Sequence, residues 1–94
     1  MSRNSLAQVE VEFTGKLIDL AEKRHDVIIL KGPMKLADIV SLTVSRYGEK
    51  FREAMFNENE LMIVLFVNGS MELDMTREVH SGDKVVFLTP VAGG

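Results

Sequence analysis

The sequence contains no cysteine, which excludes disulfides, thiolate metal sites, a cysteine nucleophile and a persulfide carried on a side chain. If the chain handles sulfur, it does so through something other than a thiol. Histidine is nearly as scarce: His25 and His80 lie far apart and neither has a second ligand at metal-site spacing. Both read as surface or loop residues, and no metal is expected. There is no block of like charges, and 11 basic against 14 acidic residues give a net charge of -3. A phosphate backbone has little to hold onto in such a chain, so nucleic acid is not an expected partner. No apolar run approaches the ~18 residues of a membrane-spanning helix, and Met1 to Ser5 lead into no apolar signal core. The expectation is a cytoplasmic protein without membrane contact. Paired carboxylates, histidine clusters and phosphate-binding glycine loops are also missing.

What is present is enough for one domain. A chain of 94 residues buries roughly 60 to 65% of its unfolded surface, which suffices for a single two-layer core. Its 46% hydrophobic and 27% charged residues are ordinary globular values.

Residues 7 to 13, "AQVEVEF", alternate strictly: Ala7, Val9, Val11 and Phe13 point one way and Gln8, Glu10 and Glu12 the other, a strand with one wet face. Thr14 and Gly15 break it, and Leu17, Leu20, Ala21 and Arg24 fall at the spacing of a short helical turn. "DVIIL" is a second strand, closed by Gly32-Pro33, and the two strands pair as a hairpin with a long connection. From Leu36 the period changes. Leu36, Ile39, Val40, Thr43, Val44 and Tyr47 form one stripe of a helix, with Pro33 ahead of it to supply a fixed φ and Gly48 to end it. "EKFREAMF" makes a further irregular turn that brings Phe51 and Met55 to the same core, and "NENE" is a solvated loop.

Residues 61 to 67, "LMIVLFV", are apolar throughout, as expected of a central strand covered on both faces. Asn68-Gly69 is a hairpin signal. Met71, Leu73 and Met75 alternate with Glu72 and Asp74 in a weaker returning strand, Gly82-Asp83 turns the chain again, and Lys84 to Val91 is the last strand. The methionines follow these elements and read as packing, and "EKRHD" reads as a solvated face.

The order strand, strand, helix, strand, short strand, strand gives an α+β domain of two layers, a mixed sheet crossed by one main helix. It matches the ubiquitin-like β-grasp, in which the last strand runs through the middle of the sheet and leaves a free tail. The whole of residues 1 to 94 is then one β-grasp domain, with 91 to 94 a flexible Gly-Gly tail. That ending raises its own question, because glycine has the most conformational entropy to lose on ordering and nothing to pack.

With "FVNG" at Phe66 to Gly69, "SGDKVVFLTPVAGG" at Ser81 to Gly94 and "LADIV" in the helix, the sequence resembles the small sulfur-carrier subunits of molybdopterin synthase and their thiamine-pathway relatives. Thr89 stands where that family often has the first proline of a Pro-Pro pair, and Ser81 where aspartate is common. The resemblance implies a carrier whose C-terminal Gly94 is adenylated by an enzyme of the ubiquitin-activating type and becomes a thiocarboxylate. Gly93 and Ala92 would thread the tail into a narrow site. It implies that ATP and Mg²⁺ are used by the activating partner, that this chain binds no cofactor, and that it is the non-catalytic sulfur-carrying part of a sulfurtransferase complex with a larger acceptor or synthase subunit. Alternatives from the same start are a ubiquitin-like modifier joining Gly94 to lysines, or a carrier for thiamine or tRNA thiolation.

A docking face is expected on the side of the sheet opposite the helix, at Phe66, Met71 and Leu88 with Pro90. Ile63, Leu65 and Val67 share one parity and Met62, Val64 and Phe66 the other; likewise Val85 and Phe87 oppose Val86 and Leu88. One helix covers one face, leaving the other apolar set for a partner, unless residues 49 to 60 fold over it or it self-associates. Which parity meets the helix is not fixed by the alternation.

Overall fold

The structure, a computed structural model, describes residues 7–90. The alternation of "QVEVEF" forms strand β1 (Gln8–Phe13) and sends Val9, Val11 and Phe13 into full burial. Thr14-Gly15 then turns the chain into a short helix, α1 (Lys16–Ala21), which buries Leu17 and Ala21. Strand β2 (His25–Ile29) returns antiparallel to β1, with Val9 opposite Ile28 and Val11 opposite Asp26.

A two-residue strand, β3 (Met34–Lys35), leads directly into the main helix α2 (Leu36–Tyr47), whose stripe buries Leu36, Ile39, Val40 and Thr43. Thr43 is the one buried polar residue among the described residues, and its hydroxyl donates to the Ile39 carbonyl at 2.7 Å, so burial leaves it satisfied. Pro33 is not what starts this helix. The Asp38 carboxylate accepts the Lys35 N–H at 2.8 Å, while the Leu36 and Ala37 N–H groups donate to the carbonyls of Arg77 and Met75. Gly48, at φ 93°, ends α2 and opens α3 (Glu49–Met55). "EKFREAM" is thus a regular helix rather than an irregular turn, because Phe51 and Met55, one helical turn apart, are both fully buried.

The apolar run at 61 to 67 is not one strand. Leu61 belongs to a small hairpin of β4 (Phe56–Asn57) and β5 (Glu60–Leu61), so the "NENE" stretch is its tight turn, with Glu58 at φ 61°. Only Val64–Val67 form β6. After the Asn68-Gly69 turn, β7 (Ser70–Met71) is brief. The expected strand through Leu73 and Met75 does not form. There Asp74 Oδ1 accepts from the Thr76 N–H and hydroxyl and Arg77 bonds Glu72 at 2.9 Å, local bonds that compete with a ladder. Strand β8 (Glu78–Val79) pairs with β3, and β9 (Lys84–Leu88) is the last strand among the described residues; the expected strand to Val91 stops short of Thr89 and Pro90, and Val91 itself lies outside the described residues.

The main sheet has the order β2-β1-β9-β6-β7, with β9 central, parallel to β1 and antiparallel to β6. This mixed sheet, covered on one face by α2 and α3, is the two-layer ubiquitin-like β-grasp. Phe13 sits at the centre of the core and meets Tyr47, Phe51 and Phe87 edge-on, at centroid distances of 5.5, 5.3 and 5.7 Å.

Candidate functional site

The register assigns the second face of the sheet residue by residue. Buried Val85, Phe87, Leu65 and Val67 turn toward the helices, so Val86 and Leu88 of β9 and Val64 and Phe66 of β6 turn away. Cross-strand pairing joins them: Val64 opposite Leu88, Phe66 opposite Val86 and, on its other side, opposite Met71. Leu88 is 38% exposed, Met62 46% and Met71 57%; Phe66, Val64 and Val86 are half-buried. The expectation that the β6 strand is covered on both faces is therefore corrected. Residues 49 to 60 pack Phe51 and Met55 into the helix-side core and leave this patch open.

The other half of the same face is charged. Glu10 and Glu12 of β1 share it with His25 of β2 and Lys84 of β9, with Lys84 Nζ 2.8 Å from Glu12 and His25 Nδ1 3.7 Å from Glu10. The hydrogen bond from Lys84 holds the Glu12 carboxyl below its ordinary value. An apolar part on β9-β6-β7 beyond Lys84, and a part on β2-β1 where Glu10, Glu12, His25 and Lys84 surround the exposed Val27, give the face both a sticking surface and an orientation. His80, by contrast, sits exposed in the turn before β9, where its N–H donates to Asp83.

Two motif segments singled out in the sequence meet here. Asn68, at φ 52°, donates through Nδ2 to Asp83 and accepts the Lys84 N–H on Oδ1, both at 2.9 Å. Asp83 in turn accepts the His80 N–H at 2.8 Å. The "VNG" and "SGD" turns are thus one hydrogen-bonded unit that fixes β6 against β9. Burial alone would push the Asp83 carboxyl up; the bonds from Asn68 and His80 outweigh it and hold it low.

At the far end of β9 the chain passes Thr89 to Pro90. An open groove beside this point runs past Thr14, Lys16, Ala54, Met62, Leu88 and Pro90. Pro90 is exposed and adjoins the apolar patch through Leu88. Gly94, Gly93 and Ala92 lie outside the described residues, as does Val91. Among the described residues no three of His, Asp and Glu converge to hold a metal ion, and no helix is long and apolar enough to cross a membrane.

Away from this face, Asp26 accepts hydrogen bonds from the Tyr47 hydroxyl and from Arg46 Nη1, the latter at 2.8 Å, and Arg46 also donates to the Val27 carbonyl. Burial pushes the Tyr47 hydroxyl up, the bond to Asp26 adds to this, and it titrates at about 12. Sequence reading did not find this cluster, whose members are separated by 20 and 21 residues; "RHD" and "RY" carry no spacing signal.

The family model of the ThiS family matches residues 11–94. The chain belongs to the ThiS family. A search of curated sequences finds no match. Among solved structures, this member of the ThiS family is similar to SAMP1 from Haloferax volcanii, with a TM-score of 0.78 at 20% identity over 93% of this chain and 99% of that one. It is similar to a putative molybdopterin converting factor subunit 1 from Pyrococcus furiosus, with a TM-score of 0.75 at 25% identity over 90% and 99% of the two chains. It is also similar, at a TM-score of 0.64 and 17% identity over 93% and 99%, to a chain in a complex of subunits 1 and 2 of the molybdopterin-converting factor from Helicobacter pylori. The fold is that of the ubiquitin-like sulfur carriers, and at least one protein of that fold is solved with a partner subunit.

Proposed function

We propose that this chain is a sulfur carrier and that the carboxyl of Gly94 is its reactive group. A carboxylate resists nucleophiles because it is anionic and has a poor leaving group, so an activating partner must first join it to AMP. The carboxylate oxygen attacks the α-phosphorus of ATP, pyrophosphate leaves, and an acyl-adenylate forms. A hydrosulfide-level sulfur delivered by the partner then adds at the acyl carbon, AMP departs with the bonding pair, and the product is a thiocarboxylate. Glycine at 93 and 94 suits this because a backbone without β-carbons enters a narrow channel.

The observation that carries the reading is the match of the family pattern through the Gly-Gly itself, residue 94 included. It is supported by the apolar patch of Phe66, Met71 and Leu88, which runs across β7, β6 and β9 and reaches Pro90 through Leu88, offering a partner a grip on the strand that leads to the tail. The acceptor is proposed to be a larger synthase subunit in molybdenum cofactor biosynthesis, with this chain as the small subunit, since a putative molybdopterin converting factor subunit is among its structural relatives. The competing reading, a modifier that ends on lysines, is favoured by the likeness to an archaeal modifier protein.

Intact-mass analysis of the chain isolated from its own cells separates the two. The carrier reading expects a fraction with one oxygen replaced by sulfur at Gly94, and expects deletion of Gly94 to abolish sulfur transfer with unfolding unchanged. Gly94 found only in isopeptide bonds to lysine would establish the modifier instead.

A further inference from the structure

Strand β1 pairs with β9 only as far as Phe13 opposite Phe87. In this parallel ladder the outward-bonding residues of β1 are the even-numbered ones, as the Glu10 N–H shows by donating to the Asp83 carbonyl at 3.0 Å. The next rung would therefore use the N–H and C=O of residue 14 to bond the Phe87 carbonyl and the Thr89 N–H. At Thr14, however, the backbone is already leaving for α1, with Gly15 at φ 55°. The side chain supplies the rung. Thr14 Oγ1 donates to the Phe87 carbonyl at 2.9 Å and accepts the Thr89 N–H at 2.9 Å, with Thr89 Oγ1 3.3 Å away. One hydroxyl reproduces both halves of the missing backbone unit.

Gly15 completes the arrangement. A β-carbon there would lie 2.3 Å from Thr89 Oγ1, so Thr89 is seated on a backbone that only glycine leaves bare. Pro90 has no N–H to extend the ladder and its φ is set by its ring. Among the described residues, Thr89 is thus the last whose N–H is bonded to the sheet, five positions before Gly94 in the sequence.

We infer that Thr14 is a positioning residue for the Gly94 chemistry: its hydroxyl holds Thr89 in line with β9 and so fixes where and in which direction the chain leaves the sheet. The inference rests on the sulfur-carrier reading for what is delivered, while the latch itself rests on the hydrogen bonds above. On that reading partner affinity comes mainly from Val64, Phe66 and Met71, which Thr14 does not bond, while Thr14 borders the patch only beside Leu88, in the groove both line. The latch therefore acts on turnover rather than on capture, since displacing a reacting group by about 1 Å costs up to ~100-fold in rate.

The test uses the full chain and the adenylating enzyme that activates it, read by exchange of labelled pyrophosphate into ATP. Thr14→Val keeps the shape and removes the hydroxyl; Thr14→Ser keeps the hydroxyl. The expected result for Thr14→Val is a kcat lowered on the order of tenfold with KM within about twofold, and loss of hydrogen-exchange protection at the Thr89 amide. Thr14→Ser is expected to restore both. As a second line that leaves Thr14 intact, Gly15→Ala is expected to lower kcat, because it adds backbone strain at φ 55° to a β-carbon 2.3 Å from Thr89 Oγ1, and Gly15→Ala with Thr89→Ala is expected to recover only the part due to that contact. Unchanged kcat in Thr14→Val, persistent protection at Thr89, or a rise in KM alone would each overturn the inference. A wild-type chain that no adenylating enzyme accepts overturns the sulfur-carrier reading instead, a result recognisable because the Thr89 amide still responds to Thr14→Val.

Discussion

Leu88 and Phe87 are neighbours in sequence and opposites in the fold, and substituting each tests the face assignment directly. Phe87 is fully buried and meets Phe13 edge-on at 5.7 Å. Truncating it to alanine removes a core aromatic and leaves a cavity, at a cost of about 3–5 kcal/mol. Leu88 is 38% exposed, and complete burial of a leucine is worth ~1.5–3 kcal/mol. Leu88→Asp thus forfeits at most ~1–2 kcal/mol of folding stability, because the carboxylate still reaches water from the open face. A partner that covers the patch feels more. It loses the remaining apolar contact, about 1 kcal/mol, and must also desolvate a carboxylate among Val64, Phe66 and Met71, so binding falls by about 2 kcal/mol or more, roughly 30-fold. Urea unfolding of both variants and calorimetric titration against the acceptor subunit supply the two numbers. If Leu88→Asp loses as much stability as Phe87→Ala, or binds its partner as the wild type does, the patch is not a docking face.

Tyr47 is the only tyrosine in a chain without tryptophan, so phenolate absorbance reports it alone; the expected midpoint is about 12, and a value near the ordinary ~10 would sink the hydrogen bond to Asp26. Because the folded value is the higher one, this contribution to stability is complete below pH ~10 and lost as pH rises toward 12, and Tyr47→Phe should lack that alkaline slope. Burial alone would raise the Asp26 carboxyl, but the bonds from Tyr47 and Arg46 outweigh it and hold it below its ordinary value. Its contribution is therefore present above pH ~4 and lost as pH falls through the lower folded value, so Asp26→Asn should flatten the acid limb of a denaturation series. Asn68→Ala, which combines a positive φ with loss of two side-chain bonds, should cost about 1–3 kcal/mol in urea unfolding, and Asn68→Gly less, since only the bonds are lost.

How much of this was readable beforehand depends on the range of the interaction. The alternation of Val9, Val11 and Phe13 and the stripe from Leu36 to Tyr47 are local patterns, and both elements form where those patterns place them. The run at 61 to 67 misled because hydrophobicity does not say who the neighbour is: Leu61 finds Phe56 in a hairpin, and Met62 lies exposed beside the groove. The pairing of β3 with β8 and the Asp26-Arg46-Tyr47 cluster join segments with no shared motif. Gly15 read only as a strand breaker, since nothing local announces that Thr89, 75 residues from Thr14, sits against it.

The division of labour between residues follows from the same distinction. Of the segments that drew attention, Asn68 and Asp83 hold β6 to β9, and their polar atoms are occupied by each other and by backbone groups. They are scaffold. The open half of the sheet around Phe66, Met71 and Leu88, by contrast, is apolar. A surface of this kind can bind and can orient, but it has no acid, base or nucleophile with which to act. On the proposed reading the chemistry must then be brought to Gly94 by the protein that covers the patch. On that reading this chain contributes the placement of a carboxyl group, and on the inference drawn above Thr14, which ties Thr89 to the end of β9, helps to set it.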